Sequence, residues 1–487
     1  MNAVQSHPRG LYTLFFTEMW ERLSYYGMRA LLVLFMPAAV TEGGFGLSKE
    51  SANAIAGLYM AGVYFSALPG GWIADRLLGA QRSIWIGGLL IATGHFTMAI
   101  PYQKTFFLGM VFIVIGTGLL KPNISALVGQ LYPEGGTQRD SGFTIFYMGI
   151  NLGAFLGPLV CSALGEKVNW HYGFAAAGVG MLLGLVQFGL TRRHLGEAGR
   201  EPAHRSDTVV RDWVLVGVFS LAGAVVVGLA FAGVIVIDPV VLAKRAAYVI
   251  ALLAMIYFAW VFLFGKLTAV ENPRVVVIAI LFLASILFWA GYEQASLSLN
   301  LFAKEYTVLT VPSLNVELPA GWFQSVPAFF VIAFAPVVAH GWVLLNRRGV
   351  NVSLPAKFAF GLMLLAVGFL VVAIGSKRAL ATGPVLPTWL VATYFFHVLG
   401  ELLVSPVGLS SVTKLAPQRL VGQMMGVWFL ATSLGNLLAG IYAGDVSGAN
   451  AAAMPAGFMQ VFYFAGGVGL LLLLCAKPIR NLMKGVE

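Results

Sequence analysis

Fourteen apolar stretches, each about twenty residues or longer, recur along this 487-residue chain with short polar segments between them. They lie at about 12–38, 51–74, 83–101, 105–131, 142–164, 172–191, 213–237, 246–265, 275–303, 320–345, 356–375, 386–413, 421–444 and 457–476. An α-helix rises 1.5 Å per residue, so about twenty residues cover the ~30 Å hydrocarbon core of a bilayer. No water reaches backbone groups there, so each stretch must satisfy its own N–H and C=O groups as a helix. The expected fold class is all-α transmembrane with 14 spans. Composition points the same way: 59% of residues are hydrophobic and 10% charged, against roughly 25% charged in soluble domains.

The net charge of +10 is explained by topology. An even number of spans puts both termini on one side. With the termini inside, 19 Lys and Arg fall on the inner side, 8 on the outer and 3 within spans. The inner set includes Arg192, Arg193, Arg200, Arg205, Arg211, Arg347, Arg348, Lys414 and Arg480. The positive-inside rule therefore predicts cytoplasmic N- and C-termini and removes the case for a nucleic-acid partner. Cys161 and Cys475, each alone in an apolar segment, fit no disulfide or metal spacing. Residues 1–10 lack the basic region and cleavage site of a signal peptide, so the first span is expected to be retained.

The longest polar stretch, 191–212, reads as a cytoplasmic linker. The two spans after it contain no ionisable residue and read as an inserted, lipid-facing hairpin. The expected organisation is a six-helix bundle over 1–191, linker and hairpin over 192–273, and a second six-helix bundle over 274–487.

Seven ionisable residues fall inside spans: Glu18, Glu21, Arg22, Arg29, Lys121, Glu293 and Glu401. Facing lipid, they would cost on the order of 20 kcal/mol together, at ~3 kcal/mol each. They are therefore expected to face one another or a water-filled path. Glu18, Arg22, Tyr25 and Arg29 recur at helical spacing and share one face. Lys121 precedes Pro122, where a helix bends. The first half thus supplies cations and the second half supplies Glu293 and Glu401 without a deep basic residue. Opposed walls of this kind suit a zwitterion; the lesser alternative is gating salt bridges without a ligand role, and one pair can serve both. Tyr25, Tyr26, Tyr59, Tyr64, Tyr147, Trp289, Tyr292 and Trp428 lie near these charges and can line a pocket or simply pack. His95 and His397 read as packed neutral rings.

The segment Glu18-Met-Trp-Glu21-Arg22-Leu23-Ser24-Tyr25-Tyr26-Gly27 resembles the E-x-x-E-R-F-x-Y-Y-G signature of the proton-coupled oligopeptide transporter family, a branch of the major facilitator superfamily. Six of seven fixed positions match, with Leu23 in place of the aromatic. Gly71 to Arg76, continued to Arg82, looks like the superfamily's loop motif. Phe146 to Gly153, Phe288 to Gln294, Gly400 to Pro406 and Met425 to Leu430 are similar to the family's fifth-, seventh-, tenth- and eleventh-helix segments. The inserted hairpin fits its bacterial members. The resemblance implies a major facilitator fold of two six-helix bundles plus two helices, in a bacterial inner membrane. It implies symport of di- and tripeptides, with the proton as coupling ion and no cofactor.

It also implies roles. Glu18, Glu21, Arg22, Glu293 and Glu401 take part in proton coupling. Arg22, Tyr25, Tyr26, Arg29, Tyr64, Lys121, Asn151, Trp289, Glu401 and Trp428 contribute to the peptide site. Arg29 with Glu293 forms the outer gate and Lys121 with Glu401 the inner one. Two departures stand out: Val326 occupies the place of an Asn before Pro327, and residues 51–74 lack the His of animal members. The alternatives are a facilitator-type drug or sugar carrier, or a peptide receptor that does not transport. An embedded enzyme is not expected, since neither H-E-x-x-H nor G-x-S-x-G occurs. Beyond peptide, proton and membrane lipid, no obligate protein partner is evident.

Overall fold

The computed structural model describes residues 7–134, 136–204, 207–312, 315–448 and 451–485. Arg205 of the inner basic set and both chain ends lie outside the described residues. The first six helices are α1 (Arg9–Phe35), α2 (Lys49–Ile73), α3 (Ala80–Met98), α4 (Gln103–Gln130), α5 (Gly136–Lys167) and α6 (Trp170–Thr191). Then come α7 (Val209–Phe231) and α8 (Pro239–Phe264). The rest are α9 (Glu271–Tyr292), α10 (Ser298–Tyr306), α11 (Val326–Arg347), α12 (Leu354–Thr382), α13 (Thr388–Leu415), α14 (Val421–Gly448), α15 (Met454–Leu474) and α16 (Ala476–Leu482). A two-stranded antiparallel hairpin, β1 (Thr310–Val311) and β2 (Val316–Glu317), follows α10.

Among the described residues, twelve helical segments are long and apolar enough to cross a membrane. α1 and α3 fall outside that set. α1 carries Glu18, Glu21, Arg22 and Arg29, and α3 carries Arg82 and His95. The expected span 275–303 is not continuous: α9 stops at Tyr292, a 3₁₀ turn runs over Glu293–Ser296, and α10 begins at Ser298.

The chain divides into two compact units. One comprises Met1–Leu31, Val40–Phe45 and Gly62–Asp238; the other comprises Leu32–Ala39, Gly46–Ala61 and Pro239–Glu487. In the first unit, α3 and α4 meet backbone to backbone. A Cβ on Gly87 would lie 2.5 Å from the Gly116 carbonyl oxygen, and one on Gly109 would lie 2.4 Å from that of Gly94. Small residues allow such approach, and in lipid close packing replaces the hydrophobic drive between helices. In the second unit α12 packs closely on α13 and α15.

The loop motif has a physical function in this fold. α2 runs into a π turn, Ala74–Leu78, that ends at Gly79 with φ 78°. The linker after α6 lies on this turn: Gln81 N–H donates to the Gly199 carbonyl (2.9 Å), and His204 N–H donates to that of Asp75 (2.9 Å). The linker is thus docked as far as His204.

The two helices that follow residue 208, α7 and α8, behave differently. α8 packs on α14 through one face that includes Ala243, Ala247, Ile250 and Ala254. The most apolar stretch of α7 has no buried residue. α7 is held by its ends: buried Asp212 faces Arg76 at 3.6 Å, and Lys104 Nζ donates to the Phe231 carbonyl (2.7 Å). Asp212→Ala is expected to loosen that end without altering the bundle. Losing a charge-assisted contact of ~1.5 kcal/mol should raise amide exchange over 209–215 about tenfold. Exchange unchanged there would show that Asp212 does not hold α7.

Candidate functional site

The first unit concentrates its charge on α1. Arg22 sits one helical turn after Glu18, which places the two on one face. Its Nε lies 3.1 Å from Glu18 Oε1 and also bonds Glu21 Oε2. All three side chains are buried. Burying one guanidinium between two carboxylates leaves a net negative cluster, and the neighbouring cations offset it. Lys121, on α4 before Pro122, acts electrostatically on Glu18. Aromatic faces also border the cations: Arg22 lies 5.1 Å from the Tyr25 ring centre, Arg29 5.8 Å from that of Tyr26, and Lys121 Nζ 4.1 Å from that of Tyr64. Ring quadrupoles attract cations at such distances.

The α5 segment holds α1 in place. Gly149, Gly153 and Gly157 recur every four residues and meet Phe15, Met19 and Leu23 on α1. A Cβ on Gly153 would lie 2.3 Å from the Met19 carbonyl oxygen and 2.8 Å from Arg22 Cβ. Buried Cys161 continues the seam, packed against Gly27. The carboxylate–guanidinium cluster is therefore positioned by helix packing immediately behind it. Asn151, on the same segment, donates to the Tyr147 carbonyl of its own helix (2.9 Å).

The second unit gathers the carboxylates. Tyr292 donates its hydroxyl to Glu401 Oε2 at 2.5 Å, across from α9 to α13. Glu293, next in the chain and buried, opens the 3₁₀ turn and acts as a like charge on Glu401. The helix break frees backbone groups, and side chains take them up. Gln324 Nε2 and the Tyr394 hydroxyl both donate to the Ala295 carbonyl, at 2.5 and 3.4 Å, and Gln294 Nε2 donates to that of Ala439 at 3.0 Å. Irregular backbone is tolerated at membrane depth when protein satisfies it in this way. Trp289 packs edge-on to Tyr292. Trp428 is buried against Phe358, beside Gly408. His397 lies against Gly368 and Phe369 of α12, and His95 is buried in α3.

Each unit thus assembles one part of the expected residue set. In the first, Glu18, Glu21, Arg22, Tyr25, Tyr26, Arg29, Tyr64 and Lys121 form linked contacts. In the second, Trp289, Glu293 and Glu401 meet around Tyr292. From sequence Tyr292 stood only among the aromatic residues near these charges, with no role of its own, and Gln324 and Tyr394 were not among the residues assigned to the site. Gln324 precedes the altered Val326-Pro327 position, so the signal for it was its place beside that departure. Nothing in the sequence marks Tyr394.

The sequence profile described as the POT family matches residues 81–464. Peptide transporter YePEPT of Yersinia enterocolitica is 41% identical, over 99% of this chain and 96% of its own. A di-/tripeptide transporter of Lactococcus lactis is 37% identical, over 99% and 97%. Among solved structures, a peptide transporter POT in complex with sulfate superimposes with a TM-score of 0.92 at 41% identity, covering 99% of this chain and 97% of the other. A POT family transporter in complex with 5-aminolevulinic acid gives 0.89 at 33% identity, covering 98% of both. With its first-helix signature folded into a buried charge cluster and relatives matching it from end to end, this chain is a multi-pass membrane transporter of the POT family.

Proposed function

We propose that this protein imports di- and tripeptides together with protons across a bacterial inner membrane, by alternating access. The charge arrangement carries the reading: cations on aromatic faces in one unit, and carboxylates gathered around Tyr292 in the other. A peptide presents a carboxylate and an ammonium some ångströms apart, so two opposite sets recognise its ends without reading its side chains. Relatives named for peptides, and a solved relative holding the zwitterion 5-aminolevulinic acid, support that substrate class.

In this reading Arg22, Arg29 and Lys121 attract the carboxylate, Glu401 receives the ammonium, and Tyr25, Tyr26, Tyr64, Asn151, Trp289 and Trp428 line the site. Arg29–Glu293 and Lys121–Glu401 act as the outer and inner gates. Glu18, Glu21, Glu293 and Glu401 supply the protonatable groups, and protonating one weakens its ion pair and shifts the balance of gate states. Two bundles rock about a midplane site, as facilitator folds do. They correspond to 1–191 and 274–487, with 192–273 as linker and hairpin. α1 and α3 complete fourteen spans, with Glu18, Glu21 and Arg22 of α1 buried and Arg82 at the exposed start of α3, and both termini are cytoplasmic.

Purified protein in liposomes should take up labelled dipeptide when the outside is acid. An inside-negative potential should accelerate uptake, since each positive charge moved gains ~2.3 kcal/mol per 100 mV. Varied di- and tripeptides should compete, while sugars and non-peptide drugs should not. Uptake indifferent to the pH gradient would refute proton coupling. Binding without counterflow would identify a receptor instead.

A further inference from the structure

At one end of the second unit, α11, α12, α13 and α16 border a cavity of about 570 Å³. That lies within the ~300–1,000 Å³ typical of small-molecule sites. Lys357, Lys414 and Arg480 line it, and among the described residues none that lines it is acidic. The Lys357 ammonium stacks 4.6 Å from the Trp342 ring centre, and the like charge of Lys414 acts on it. Three cationic side chains bordering one concavity make it a favourable setting for an anion with several acceptor oxygens. The fold adds a further positive element. Ser353 and Leu354, at the N-terminus of the 29-residue α12, also line the cavity, and the Ser353 side chain makes no capping hydrogen bond. The amide end of a helix attracts anions, most of all those with several acceptor oxygens. Asn346 and Ser410 supply neutral donors.

The surroundings select among anions. Val350 lines the cavity and is exposed, and Val343 and Leu344 are exposed on the adjoining turn of α11. A Trp–Lys pair at the end of membrane-crossing helices is suited to the interfacial layer. Basic recesses between spans on the cytoplasmic side suit acidic lipid headgroups. We propose that this cavity binds the phosphate of an anionic phospholipid, with the headgroup among Lys357, Lys414 and Arg480 and the acyl chains along α11. A freely diffusing phosphate shares the charge chemistry but has no use for the aliphatic border. The inference goes beyond peptide transport and does not depend on it.

The test uses full-length protein in a neutral detergent, with retained lipid read by native mass spectrometry. Phosphatidylglycerol, phosphatidylcholine and inorganic phosphate are each added at equal concentration, and thermal unfolding is followed in parallel. Phosphatidylglycerol should be retained and should raise the unfolding temperature, while the other two do neither. Lys414→Gln combined with Arg480→Gln should weaken phosphatidylglycerol binding about thirtyfold. The same loss of charge at exposed Lys244 and Arg245 on α8 should leave it unchanged. Wild-type affinity should fall as salt rises, which holds the proposal to account even if the double variant does not fold. Equal retention of phosphatidylcholine, equal protection by inorganic phosphate, a double variant that binds like wild type, or salt-independent binding would each overturn it.

Discussion

Lys121→Ala and Glu401→Ala should each reduce acid-driven peptide uptake by about 30-fold to 4,000-fold. Lys121 holds its ammonium over the Tyr64 ring on a helix interrupted by Pro122, and it also bears on Glu18. Glu401 is held by the Tyr292 hydroxyl. In the proposed cycle each group contacts an end of the peptide and closes the inner gate. Removing one partner of a desolvated charge contact costs ~2–5 kcal/mol, and every 1.4 kcal/mol is tenfold. Uptake into acid-outside liposomes measures the combined effect. Counterflow, which needs no net proton movement, shows whether substrate exchange is lost along with coupling. If both variants transport at near wild-type rates, the assignment of the gate and the peptide site fails, although family membership would stand.

The second large effect concerns stability. Arg22→Ala should destabilise the protein by ~3–5 kcal/mol, the usual cost of leaving buried charges without their partner. Glu18 and Glu21 are both buried beside Arg22, and Gly153 packs α5 against that same turn of α1, which leaves no room for water to enter from behind. Replacing all three charged groups with neutral side chains of similar size should be milder, because no uncompensated charge remains. The comparison is made by thermal unfolding in detergent and by yield of monodisperse protein. An Arg22→Ala protein as stable as wild type would mean that the cluster is solvated and that its proposed coupling role needs another basis.

Much of this molecule could be read along the chain. Hydropathy is a local property, and lipid forces each long apolar run to satisfy its own backbone groups, so helix positions agree with the apolar runs to within a few residues at most ends. The four-residue spacing of Glu18 and Arg22 likewise determined that they share a face, since helix geometry alone sets it. The buried Glu18–Arg22–Glu21 cluster follows from neighbours in sequence, and so it was legible before any coordinates.

Only the tertiary structure decided the rest, and the reason is separation along the chain. Tyr292 and Glu401 are 109 residues apart, and the hydroxyl–carboxylate bond exists because α9 and α13 pack together. The interruption after Tyr292 was invisible to hydropathy, because Gly291 to Ser298 is no more polar than a functional helix. It is stable because Gln324, Tyr394 and Ala439 provide or accept hydrogen bonds from other helices. The docked linker and the two ends that hold α7 have the same origin. A sequence fixes which segments must enter the membrane; the partners of their polar groups are chosen by whichever distant segments pack beside them.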